Sequence, residues 1–165
     1  MGNDGVLFNE ESDIIKHGNT YSGAVPVKYG EDPESTGDGS QIDWIVYRYA
    51  DVLTLLSEAI VRQGNSVTQE AVDLLNQIRV RAKLSPYTMG DIKGVDDFLD
   101  KMLQERGHEF WWEGNRRADL IRHGKFIQNA IDRGSTTTKP EFVLFPLPQA
   151  VINEGKGIII QNPGY

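Results

Sequence analysis

The sequence predicts a mainly α-helical fold, and three observations lead to this prediction. Apolar residues recur at helical spacing in the segments 48–63, 67–82 and 95–110. Short connections rich in Gly, Asn and Pro separate these segments. Consecutive amphipathic helices joined by short turns must pack antiparallel, so we expect two helical hairpins.

Residues 1–42 are expected to be irregular, because glycine and proline interrupt them too often for a long helix. A short extended piece is predicted at 25–29, where Pro26 suggests an edge position. The acidic, turn-rich stretch 31–40 is predicted to be a mobile surface loop.

The first helix is predicted from about Arg48 to Gln63, with Gly64 and Asn65 ending it. Its apolar residues recur at i, i+3, i+4, i+7 and i+8, which predicts one face directed to the core. These residues are Val52, Leu55, Leu56, Ala59 and Ile60.

Three further helices follow. Ser66 and Gln69 form a predicted capping box for the second helix, whose inward face is Ala71, Leu74, Leu75, Ile78 and Ala82. Asp96 or Asp97 is expected to cap the third helix, which buries Phe98, Leu99, Met102, Leu103 and Phe110. The fourth is predicted from Asn115 to Arg133 with a break at Gly124.

The predicted helix starts place the second hairpin about 48 residues after the first. This arrangement resembles a divergent pair of tetratricopeptide-type hairpins, an α-α superhelix, although the usual repeat is about 34 residues. The tail at 134–165 is predicted to be extended, because of Pro146 and Pro148, and to pack across the helices. We therefore expect a single domain spanning 1–165, with a helical core at 43–133.

Charge and aromatic surface are concentrated between Glu105 and Lys125. Three acids fall four residues apart and share one helix face. Gly114 stands where a left-handed residue would end that helix. We predict a structural ion-pair network that stabilises a helical corner, with Trp111 and Trp112 packed in the core. Its members are Glu105, Arg106, Glu109, Glu113, Arg116, Arg117, Asp119 and Arg122.

Composition argues against several kinds of chemistry. The chain has no cysteine and three histidines, and Trp112 stands where a zinc-protease motif starting at His108 would need its second histidine. Carboxylates four residues apart on a helix fit the spacing of a glycosidase pair, but the surrounding arginines would keep both ionised. We expect no catalytic residue, no metal and no cofactor.

Net charge is −7, of which −6 belongs to residues 1–40. Residues 41–165 therefore carry a net charge of only −1. Such a charge gives no general attraction for nucleic acid. No apolar run approaches the roughly 18 residues that span a bilayer, and no secretion signal is evident. The chain is expected to have no membrane attachment of its own.

Four sequence blocks carry a family resemblance: RYADVL at 48–53 with SEA at 57–59, LNQIRVRA at 75–82, ERGHEFWWEGNRRADLIR at 105–122, and LFPLPQ at 144–149 followed by QNPGY at 161–165. Their content and order resemble the C-terminal signature of the SusD/RagB family of outer-membrane nutrient-binding proteins. Gly107 departs from the pattern, which usually has an arginine there, and Ala118 stands where an aromatic residue is common.

The resemblance implies the C-terminal portion, or a shortened relative, of a non-catalytic protein that binds a glycan or other nutrient. Family members are longer lipoproteins on the outer face of the Bacteroidetes outer membrane, and they deliver the ligand to a TonB-dependent, SusC-like transporter. Weak candidates for glycan contact are Tyr21, Tyr29 and Trp44. Two alternatives stay open, a tetratricopeptide-like protein-interaction module and a carbohydrate-active enzyme.

Overall fold

The computed structural model describes residues 28–29, 32–34 and 41–165. The chain divides into two compact units, residues 1–44 and 45–165. In the first unit, the side chain of Asp32 accepts hydrogen bonds from the backbone amides of Glu34 and Gln41, at 3.0 and 2.6 Å. The predicted extended piece at 25–29 and loop at 31–40 lie largely outside the described residues.

The second unit is helical, and no strand occurs among the described residues, so the mainly α-helical prediction is confirmed. Six α-helices and two short 3-10 helices follow in order. They are α1 (Tyr49–Gly64), α2 (Gln69–Arg81), a 3-10 turn (Met89–Asp91), α3 (Val95–Glu109), α4 (Arg116–Arg122), α5 (Phe126–Asp132), a 3-10 turn (Pro140–Val143) and α6 (Gln149–Glu154).

Local signals set most of the helix ends. Asn65 adopts a left-handed conformation after α1, and Gly124 does so between α4 and α5, with φ of 44° and 67°. The cap of α2 differs from the prediction, because Thr68 rather than Ser66 accepts the hydrogen bond from the amide of Ala71. Gly94 precedes α3, so Asp96 and Asp97 lie in its first turn.

The core lies where the α1–α2 hairpin packs against α3. Buried residues from all three helices form the main cluster. Its α3 members were all predicted, whereas on α2 Val72 is buried without having been predicted and Ala82 is exposed against the prediction. The cluster comprises Val61, Ala71, Val72, Leu75, Phe98, Leu99 and Met102. A second cluster joins Ala50, Leu53, Ile78 and Phe110 near the beginning of α1.

The predicted core face of α1 is wrong except at Ile60, which is partly buried against the main core cluster. Val52, Leu55 and Leu56 are exposed by 56%, 38% and 46% of their surface, and Ala59 is exposed as well. The opposite face is buried instead, and it carries Asp51, Thr54, Ser57 and Glu58 among its residues. Buried polar groups require partners: α3 and α4 supply them for Asp51, Thr54 and Glu58, and Ser57 donates to the backbone carbonyl of Ala71 on α2 at 2.6 Å.

The prediction for the tail is also wrong in two respects. Residues 149–154 form a helix, because Pro148 precedes its first turn, where the fixed φ of proline is compatible with a helix. Phe145, Ile158 and Ile160 are exposed by 69%, 87% and 80%, so they do not complete the core. Side-chain contacts hold parts of the tail locally, including the stacked rings of Phe142 and Tyr165.

None of the helices in the described part of the chain has the length and apolar content needed to cross a membrane.

Candidate functional site

The charged residues at the end of α3 and the beginning of α4, from Glu105 to Asp119, form what we call the charged corner. Arg106 on α3 is at its centre and is only 3% exposed. Its guanidinium donates to Asp119 of α4 at 2.8 Å, to Asp51 of α1 at 3.1 Å and to the hydroxyl of Thr54 at 2.5 Å. Each partner is also buried. One side chain therefore joins three helices through charge-assisted hydrogen bonds.

Arg48, immediately before α1, bridges the acids at the other end of the corner. It donates to Glu113 at 2.8 and 3.0 Å, and to the carboxylate and backbone carbonyl of Glu109 at 2.5 and 2.7 Å. Its guanidinium also lies over the ring of Phe110, 4.4 Å from the centroid. These contacts attach the residue before α1 to the end of α3, where the chain turns towards α4.

Arginines of α2 bind Glu105 and also Glu109. Arg79 bonds to the carboxylate of Glu105, which also accepts from the hydroxyl of Tyr87 at 3.1 Å. Arg81 bonds to Glu109 at 2.5 Å. The face formed by the acids thus packs against α2 as well as α1.

A second charged cluster surrounds Glu58, which is 2% exposed. Arg122 of α4 and Arg62 of α1 form ion pairs with its two oxygens, and Nε2 of His123 lies 3.3 Å from one of them. Burial alone would raise the pKa of Glu58, but His123, Arg122 and Arg62 outweigh burial and lower that pKa to about 2.

This lowered pKa predicts an acid-sensitive contribution to stability. The ordinary pKa of Glu58 is 4.5, so the ionised form stabilises the fold fully above pH 4.5, and the contribution is lost as pH falls towards 2. Glu58→Gln should therefore be less stable than the wild type at pH 7, with a difference that shrinks between pH 4.5 and 2. Urea unfolding at several pH values measures this difference in the free energy of unfolding. A difference that does not change with pH would contradict the lowered pKa of Glu58.

Arg116 and Arg117 were predicted to pair with the acids, and the structure assigns them different partners. Within the described part of the chain, Arg116 donates to the backbone carbonyl of Leu103 at 2.7 Å, and Arg117 donates to the carbonyls of Phe142 and Val143 at 3.0 and 3.1 Å. Gly107 makes room for Arg116, because a Cβ there would lie 2.8 Å from its guanidinium. The glycine that departs from the family pattern thus has a local packing reason.

Trp111 and Trp112 were predicted to pack in the core, and this prediction is wrong. They are 48% and 59% exposed, in the turn between α3 and α4. Their ring centroids lie 5.7 Å apart at an interplanar angle of 41°. The helix ends at Glu109, earlier than the spacing of the acids suggested, so the two side chains leave the helical surface.

The candidate aromatic residues of the N-terminal unit have different positions. Tyr29 and Trp44 stack with their centroids 5.0 Å apart, and Trp44 is 57% exposed. Tyr21 lies outside the described residues.

A cleft of about 370 Å³ lies between α1 and α2. Its floor is apolar, with Leu53 and Ile78, and its rim offers the ring of Tyr49 together with the polar groups of Gln77 and Arg81. An apolar floor with a few polar groups is typical of small-ligand sites. Among the described residues, no group of three or more His, Asp and Glu side chains is arranged to hold a metal ion.

Comparison with known proteins assigns the family. The model of the SusD family matches residues 4–165. The chain belongs to the SusD family.

Similar proteins within the family share modest sequence identity with the chain. The starch-binding protein SusD of Bacteroides thetaiotaomicron is 27% identical over 165 aligned residues, covering 96% of the chain and 27% of that protein. The SusD-like protein P38 of Formosa agariphila is 38% identical over 90 residues, covering 51% of the chain and 18% of that protein. The chain thus spans at most about a quarter of the length of these relatives.

Solved structures confirm the SusD-type fold. A SusD superfamily protein from Parabacteroides distasonis superposes with a TM-score of 0.63 and 28% identity, over 76% of the chain and 28% of that protein. Surface glycan-binding protein A from Bacteroides thetaiotaomicron in complex with laminarihexaose gives a TM-score of 0.55 and 30% identity, over 72% of the chain and 24% of that protein.

Proposed function

We propose that the chain forms part of a protein that binds a glycan without modifying it. The family match over residues 4–165 is the observation that carries this proposal. It gains support from a relative named for binding starch and from a structural neighbour in complex with laminarihexaose.

The electrostatics of the corner support binding rather than hydrolysis. A glycosidase needs one carboxylic acid with a raised pKa that can donate a proton. In the corner, Glu105, Glu109 and Glu113 are each bonded to arginine, and in the second charged cluster the pKa of Glu58 is lowered to about 2. At Glu58 the neighbouring cations favour the ionised form, and the arginine bonds of the other three acids suit a structural role.

The cellular location and the transporter partner in this proposal are taken from the family resemblance. In this proposal the full-length protein is a lipoprotein on the outer surface of the outer membrane, and it passes the glycan to a TonB-dependent, SusC-like transporter. Capture and delivery require no covalent step.

A thermal melt of the chain with soluble glycans tests the proposal. A ligand that binds only the folded state adds about 2.7 kcal/mol when present at 100 times its Kd. For a domain of this size, that corresponds to a rise of roughly 5–10 °C in the melting midpoint. We expect such a rise with a malto-oligosaccharide or a laminari-oligosaccharide and no release of reducing ends. An unchanged midpoint with every glycan would contradict binding by this chain, and new reducing ends would contradict its non-catalytic role.

A protein-interaction module is the second candidate, because α1 exposes Val52, Leu55, Leu56 and Ala59 on one face. Tetratricopeptide-like helices use such faces to pack on neighbouring helices or on a partner. This function would give binding of a polypeptide and no response to sugars.

A further inference from the structure

We infer that residues 161–165 form a clasp that closes the tail of the chain, and that the tail opens at this clasp while the helical core stays folded. The sequence QNPGY at 161–165 and the sequence LFPLPQ at 144–149 make up one of the four family blocks. Neither the charged corner nor the proposed function accounts for this block. The conformational role proposed for it is independent of glycan binding.

The side chain of Gln161 binds both backbone polar groups of Leu147. Its Oε1 accepts a hydrogen bond from the amide of Leu147 at 2.7 Å, and its Nε2 donates to the carbonyl of the same residue at 2.9 Å. Oε1 also accepts from the amide of Asn162 at 2.9 Å. A carboxamide carries a donor and an acceptor side by side, so it can satisfy one residue as a neighbouring strand would. Gln161 therefore fixes the position of the clasp along the chain that it binds.

Asn162 and Tyr165 extend these contacts towards the 3-10 turn at 140–143. Nδ2 of Asn162 donates to the carbonyl of Phe145 at 2.7 Å, and the hydroxyl of Tyr165 donates to the carbonyl of Leu144 at 2.9 Å. The ring of Tyr165 also stacks on that of Phe142, with the centroids 6.0 Å apart and an interplanar angle of 22°. Side chains of the clasp thus bind three backbone carbonyls of the facing segment.

Gly164 allows the clasp to approach this segment closely. Its φ is +89°, and a Cβ there would lie 2.8 Å from the Cβ and Cγ of Glu141. Gly157, in the part of the tail that the clasp encloses, has nearly the same φ of +88°, but a Cβ there would meet no atom within 4 Å. The two glycines share one backbone requirement, and only Gly164 is also needed for close packing.

The tail shares no apolar cluster with the core. Both core clusters, with the residues packed against them, lie between Ala50 and Phe110. The tail is attached to the helices through Arg117 of α4, which donates to the carbonyls of Phe142 and Val143, and through α5, which packs against the 3-10 turn. A segment held by few apolar contacts opens at a lower free energy than the core does. The clasp is therefore the element that sets how often the tail opens.

Hydrogen exchange of the 165-residue chain tests the inference at the amides of Leu147 and Asn162, with the interior amides of α3 as the reference for the core. Gly164→Ala places a methyl group against Glu141, and Gly157→Ala is its matched control, because it introduces the same backbone strain without the collision.

A second pair of variants changes only hydrogen bonding. Gln161→Glu keeps the acceptor for the amide of Leu147 but removes the donor to its carbonyl. Gln149→Glu is the control, because the side chain of Gln149 bonds only to that of Asn153 on the same helix among the described contacts.

We expect Gly164→Ala to raise the exchange rates of both tail amides by about tenfold or more, while the α3 amides and the melting midpoint stay as in the wild type. Gln161→Glu should act in the same direction, and both controls should change the tail amides much less. If the α3 amides accelerate together with the tail amides, the tail and the core form one cooperative unit and the inference is overturned. It is overturned as well if neither Gly164→Ala nor Gln161→Glu accelerates the tail amides, or if Gly157→Ala accelerates them as much as Gly164→Ala does.

Discussion

Arg106→Met is expected to lower the free energy of unfolding by about 3–5 kcal/mol. Arg106 is 3% exposed, and its removal leaves the carboxylates of Asp51 and Asp119 buried without the cation that joins them. Breaking a buried ion pair from one side costs far more than losing an exposed one, because the remaining charge stays desolvated. Total stability of domains is only about 5–15 kcal/mol, so the variant should be close to unfolding. Urea denaturation measures the loss.

Lys101→Met is the matched control, because Lys101 pairs with Asp97 one helical turn earlier at a partly exposed site. That substitution should cost at most about 0.5 kcal/mol. Adding Asp51→Asn to Arg106→Met should recover part of the loss by removing the carboxylate that has lost its cation, whereas Asp119 keeps its ion pair with Arg122. A cost below about 1 kcal/mol for Arg106→Met would mean that the ion pairs do not hold the corner together.

Phe98→Ala is expected to destabilise the chain by a similar amount, about 3–5 kcal/mol. Phe98 is fully buried in the core cluster between the α1–α2 hairpin and α3. Truncation removes the buried ring and leaves a cavity that close-packed neighbours fill only in part. The melting midpoint should fall by on the order of 10 °C.

Phe145→Ala serves as the control for this substitution, because Phe145 is 69% exposed. Its ring contacts the guanidinium of Arg117, 4.0 Å from the centroid, so the expected loss is about 0.5–1 kcal/mol. Equal midpoints for Phe98→Ala and the wild type would show that the hairpin and α3 do not share one cooperative core.

Local signals in the sequence were sufficient to predict the helices between 49 and 132, but not α6 in the tail. The turns at Gly64 and Asn65, at Gly114 and at Gly124 depend on neighbouring residues alone. The apolar spacing of α3 matches its buried face, and that of α2 matches except that Ala82 is exposed and Val72 is buried. The family blocks were recognisable for the same reason, because they are short and contiguous.

The apolar periodicity of α1 did not predict which face of this helix is buried. Its most apolar stripe, which includes Val52, Leu55 and Leu56, is exposed, whereas Asp51 and Glu58 are buried. Burial of those acids becomes favourable only when Arg106 and Arg122 supply partners from more than 50 positions away. Apolar spacing within a helix carries no information on such distant pairing.

The members of the charged corner were only partly predictable. The carboxylates between Glu105 and Asp119 were identified, and Asp119 pairs with Arg106 and Arg122 of the predicted set. The partners of Glu105 and Glu109 are Arg48, Arg79 and Arg81, which lie before α1 and on α2. RYADVL at 48–53 was recognised as a family block, and the alternating arginines at 79 and 81 stood in another. Membership of a family block was the sequence signal that could have pointed to these arginines. Only the fold shows which carboxylate each arginine binds.

Isothermal titration calorimetry of the chain with maltoheptaose and laminarihexaose, at two temperatures, tests glycan binding most directly. We predict saturable heat with one of the two ligands, a negative heat-capacity change from the apolar surface buried, and no continuing heat of hydrolysis after saturation. An absence of binding heat with both glycans would contradict binding of these ligands by this chain, and a sustained heat of turnover would contradict capture without chemistry.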